Sequence, residues 1–169
     1  VISYSFYFPQ SSLTDEILTN RESSGEHSKK KLSQYGQLTL FFNYLYNRCG
    51  KENILKELFK STNSVKGTQY LDEILKNAHK TNVKLPVYCK SFDALFLEFQ
   101  KARFLNSPLS KDTYVILSPI VPVSRYTPID YKKLEPYSAV SYLRKKNKLC
   151  NSKNEITLDQ ERCLQYRLN

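Results

Sequence analysis

The chain has 169 residues, 40% of them hydrophobic, and a formal net charge of +10. This apolar content excludes wholesale disorder, and the length suits one domain with a real core but not two comfortable ones. No apolar run reaches the roughly 18–20 residues that span a bilayer as a helix; the longest, Leu38 to Tyr46, is broken by Thr39 and Asn43.

Ile2, Tyr4, Phe6 and Phe8 share one parity before Pro9, which is a strand pattern. The chain starts at Val1 and contains no Met, and its first residues lack the basic segment and small-residue cleavage site of a signal peptide. Further sequence is therefore expected upstream. Thr19 to Lys31 is polar, contains Gly25, and reads as an exposed loop. His27 lies in it, beside Glu26 and Ser28, and reads as a solvated side chain rather than a metal ligand.

The helical part opens at Ser33-Gln34-Tyr35-Gly36. Leu38, Phe41, Phe42 and Leu45 recur at i, i+3, i+4 and i+7, with Leu40 and Tyr44 widening the stripe, so a helix buried on more than one side is expected. Arg48 and Gly50 end it, the glycine at a left-handed capping position. Ile54, Leu55, Leu58 and Phe59 mark the apolar face of a second helix, which stops in Ser61-Thr62-Asn63-Ser64. Thr68 is the capping candidate of a third helix that buries Leu71, Ile74, Leu75 and Ala78. Pro86 keeps the next connection from being helical throughout. Ser91 caps a fourth helix, with Asp93 in its first turn and Phe92, Leu95, Phe96, Phe99 and Ala102 or Arg103 along its stripe.

The remainder is richer in β signals. Tyr114 to Leu117 is a short strand candidate, and Pro119, Pro122 and Pro128 impose an extended connection. Leu134 to Leu143 reads as a strand entered through a proline turn, and Glu155 to Leu158 as its pairing partner across a polar loop. The expected class is α+β, in three parts. Residues 1–32 are a strand-like segment and polar loop, 33–110 a helical subdomain of about four helices, and 111–169 a small β-rich tail.

Four cysteines, Cys49, Cys89, Cys150 and Cys163, lie at spacings that do not match zinc-ligand patterns. One or two disulfides (Cys49 with Cys89, Cys150 with Cys163) and four thiols both remain open. The positive charge is spread along the chain, although residues 1–28 carry one Arg against four acids. Spread lysines suit solvated helix faces better than a nucleic-acid footprint. No catalytic motif is present: no His-Glu-x-x-His, no Gly-x-Ser-x-Gly, no phosphate loop, and only four glycines. His79 closes the third helix, where a histidine favours the dipole.

Tyr35-Gly36-x-x-x-Leu40-Phe41-x-x-Tyr44-Leu45-Tyr46-x-Arg48-x-Gly50, continued by Ile54-Leu55-x-x-Leu58-x-x-Ser61, resembles a segment of the hyicolysin-type secreted bacterial zinc metallopeptidases. Phe92 to Phe99 is similar to an aromatic-rich pattern in the helix that follows there. Leu134, Pro136, Tyr137, Ser138 and Tyr142 resemble the segment that opens the family's β-rich tail. The resemblance covers about residues 33–106, and 134–143 more loosely. It implies the downstream scaffold of a peptide-hydrolysing protein, located outside the cell, at its surface or in the periplasm. The family's two zinc-binding His, its Glu base and its downstream Glu ligand have no counterparts here; Glu16, Glu22 and Glu26 do not replace them. No metal or catalytic residue is therefore carried over, and zinc would belong to an upstream part. Tyr35 is the one candidate for stabilising an oxyanion in a peptide substrate, against the plainer role of packing at a helix start beside Gly36. This chain alone is expected to be inactive, with the upstream part or another protein chain as partner. The alternative is a non-enzymatic protein–protein interaction module on a degenerate peptidase fold.

Overall fold

The computed structural model describes residues 25–60, 67–81, 84–105, 131–134, 136–144, 149–150 and 152–168. The strand candidates at Ile2–Phe8 and Tyr114–Leu117 lie outside them. The fold is α+β. Among the described residues four α-helices precede a small antiparallel sheet: α1 Gly25–Arg48, α2 Glu52–Lys60, α3 Gly67–Thr81 and α4 Phe92–Phe104, then β1 Ser138–Leu143, β2 Glu155–Thr157 and β3 Arg162–Arg167. No helix among these residues is long and apolar enough to cross a membrane.

Helix α1 starts at Gly25, so the loop expected up to Lys31 is corrected. Polarity alone does not break a helix, and Glu and Lys are good helix formers. Its C-terminus follows expectation: Gly50 sits at φ 115, a conformation that favours glycine, and the Lys51 N–H donates to the Tyr46 carbonyl at 2.8 Å. Ser91 caps α4, its Oγ accepting from the Ala94 N–H at 3.3 Å. Asp72 on α3 adds a second tie at that end, accepting from the Phe92 N–H at 2.6 Å.

The core is an aromatic seam between α1 and α4. The Phe41 ring meets Phe92 and Phe99 edge-on at 5.5 and 5.4 Å, and Tyr44 lies 5.8 Å from Phe99. At the far end of α1, Cys49 is bonded to Cys89 in the short 3-10 turn Val87–Lys90 that leads into α4. Gln34 and Gln37 of α1 and Gln100 and Arg103 of α4 are buried as well. Arg103 Nη1 donates to Gln100 Oε1 at 3.3 Å, and burial pushes its guanidinium down to about 9, still a cation at neutral pH.

The sheet order is β1-β3-β2, with both pairings antiparallel. This corrects the expected pairing of Glu155–Leu158 with the Leu134–Leu143 strand. Ile156 lies opposite Leu164 and Val140 opposite Gln165, so β3, unforeseen in the sequence, sits between them. Cys150 is bonded to Cys163 on β3. Both disulfides are formed, which resolves the open question of the cysteines.

The tail is riveted to the helices by specific contacts. Tyr137 packs against Phe92 and Phe96 with ring centroids 4.8 and 5.7 Å apart, and its Oη donates to Asp93 Oδ1 at 3.0 Å. It holds φ 48, a conformation costing a non-glycine residue about 1 kcal/mol. These contacts, with its N–H donating to the Leu168 carbonyl at 2.9 Å, offset that cost. Arg162 Nη1 donates to the Phe104 carbonyl at 2.9 Å, satisfying an orphan acceptor at the C-terminus of α4. Within the tail, Arg167 Nη1 donates to the Leu134 carbonyl at 2.8 Å.

Candidate interaction surface

Helix α2 carries its apolar residues in two neighbouring rows. Ile54 is buried and Leu58 half-buried; these face the core, and the Leu58 carbonyl accepts from Tyr70 Oη of α3 at 2.6 Å. Leu55 and Phe59, one turn apart, face outward and are 37% and 86% exposed. The apolar face that these four residues mark is thus split: the helix is pinned by one row and presents the other. Glu52, Leu55, Lys56, Phe59 and Lys60 recur at i, i+3, i+4, i+7 and i+8 and line a shallow, open, mostly apolar depression. Lys60 lies 3.2 Å from Glu57, whereas Lys56 has no ion-pair partner among the described residues. Burying a Phe side chain fully is worth about 1.5–3 kcal/mol. That gain is unused at Phe59 and available to a partner.

Other sequence candidates fall elsewhere. Tyr35 is 47% exposed on the outer side of α1, two turns from Phe42, which is 43% exposed although its spacing places it in the core stripe. The Tyr35 carbonyl accepts from Thr39 Oγ1 at 2.8 Å, and Gly36 beside it is buried. His79 lies half-buried in the last turn of α3. Glu16 and Glu22 are outside the described residues, and the side chains of Glu26 and His27 are not described. The structure thus gathers none of these candidates around Tyr35 among the described residues.

The other titratable groups of note are structural. Tyr44 is buried 6.5 Å from Tyr88 with the Arg48 guanidinium 5.9 Å over its ring, and burial pushes its hydroxyl well above the ordinary tyrosine value. It stays neutral and is a poor base. No group of three or more His, Cys, Asp or Glu side chains that could hold a metal is found among the described residues. All four cysteines are tied in disulfides and offer no thiolate.

No family model matches this chain, and neither the curated proteins nor the solved structures contain a match to it.

Proposed function

We propose that this chain is a disulfide-stapled, non-enzymatic interaction module that docks on another protein chain through the outer face of α2. The observation that carries this reading is Phe59, 86% exposed beside Leu55 on a helix whose opposite row anchors it to the core. An exposed aromatic held on a rigid element loses little entropy on binding, which is the character of an interface anchor. Two disulfides support an oxidising location, secreted or at the cell surface. The test is photo-cross-linking in the native extracellular fluid with p-benzoylphenylalanine at position 59. A discrete protein adduct is expected there and not from the same probe at exposed Lys76 on α3. Equal labelling from both positions, or none, refutes the module.

The order of four helices and then a small β tail supports a second reading, the downstream scaffold of a zinc-peptidase-like protein. On that reading zinc, peptide substrate and catalysis enter with an upstream part. Chelator-sensitive peptide hydrolysis by the chain joined to its upstream sequence, reduced in Tyr35→Phe, would support it. An upstream sequence without zinc-binding histidines would end it.

A further inference from the structure

The charges on the exposed face of α2 say what kind of partner fits it. Leu55 and Phe59 form one row, and Glu52, Lys56 and Lys60 form the neighbouring row, each step a turn of about 6 Å along the helix. Read from the N-terminus, the charged row runs negative, positive, positive. A second copy of this chain is disfavoured as occupant. Each copy carries +10, so two copies repel one another on approach. An anionic lipid surface is disfavoured too, because it would meet the Glu52 carboxylate, in the same row, with like charge. A helical segment can instead place its charges one by one.

We propose that the face takes an acidic amphipathic helical segment of another protein. Two of its apolar side chains, one turn apart, lie along Leu55 and Phe59, and a carboxylate on its flank faces Lys56, whereas Lys60 is engaged by Glu57 at 3.2 Å. This deepens the interaction-module reading and rests on it. The net charge of +10 assists by drawing an acidic partner in from a distance, so the association weakens as salt rises.

The test uses the whole chain and three probes: a labelled helical peptide with Leu and Phe one turn apart and Glu on the flanks, its Glu→Lys counterpart, and vesicles containing phosphatidylserine. The acidic peptide is expected to bind at least about ten-fold more tightly than the basic one. Phe59→Ser should remove that binding, and Lys56→Glu should weaken it; both side chains are exposed, so neither change disturbs the fold. Equal binding of the two peptides, or binding indifferent to Phe59→Ser, overturns the proposal. Phe59-dependent binding to vesicles but not to the acidic peptide overturns it in favour of lipid. A protein adduct at position 59 without acidic-peptide binding defeats this inference and leaves the module standing, whereas absence of the adduct defeats the module itself.

Discussion

The helical layer and the β tail are held by different kinds of contact. Between α1 and α4 the contacts are ring on ring, non-directional and fully buried, with Phe41, Phe92, Phe96 and Phe99 all out of reach of water. The tail joins the same core through Tyr137, Ala139 and Leu164, and adds named polar ties to the helices: Tyr137 on Asp93, and Arg162 on the Phe104 carbonyl. Apolar burial scales with area and tolerates small shifts, whereas a hydrogen bond is lost within fractions of an ångström. The helical layer should therefore fail on loss of volume, whereas the tail is sensitive to loss of single atoms or protons as well.

The largest effect should come from the helical layer. Phe99→Ala empties a fully buried position between Phe41 and Tyr44 and should cost about 3–5 kcal/mol, read as a lower urea midpoint for the whole chain. If only the tail's signals move, the layer is not the foundation we describe.

The disulfides sharpen the contrast. Loop closure over 40 residues makes Cys49–Cys89 worth about 4 kcal/mol in the chain-entropy account, against about 3 for the 13-residue span of Cys150–Cys163. Double Cys→Ala variants should rank in that order by thermal unfolding. Hydrogen exchange should show the second confined to the sheet.

A proton should distinguish the regions as well. Burial, then the hydrogen bond to Asp93, pushes Tyr137 up to about 12; burial and Glu155 do the same for Tyr142. A raised value means that folding favours the neutral phenol. The stabilisation is complete below the unfolded value near 10 and is lost as pH rises toward 12. Tyrosinate absorbance followed together with sheet circular dichroism should show loss of the tail in that window. Simultaneous loss of helix signal would break the comparison.

The smallest effect is expected from Tyr137→Phe. It keeps the ring contacts and removes only the bond to Asp93, costing about 1 kcal/mol and removing one late-titrating phenol. A null result in both readouts would mean that the hydroxyl is not a rivet.

The sequence showed the helices more clearly than the sheet, for physical reasons. The stripes around Phe41 and Phe99 and the stops at Gly50 and Ser91 are local signals, and the structure follows them. Spacing does not say which of two adjacent rows turns inward, so Phe59 shared a pattern with Ile54 while ending on the opposite side. Strand β3 was illegible because Cys163, Leu164 and Gln165 are all buried, and a strand covered on both faces shows no alternation. Tyr35 was a candidate because the resemblance to zinc peptidases offered its hydroxyl an oxyanion to stabilise, yet the structure assembles no chemistry beside it among the described residues.

The middle place of β3 has a consequence for biosynthesis. A ribosome delivers β1 and β2 before Arg162–Arg167, the strand that both of them flank. The outer two have no template until the last of the three has emerged, so sheet closure and the Cys150–Cys163 linkage must wait while the helices are free to assemble. Stalling translation shortly before Arg162 should leave a nascent chain with a folded helical layer and a reactive Cys150.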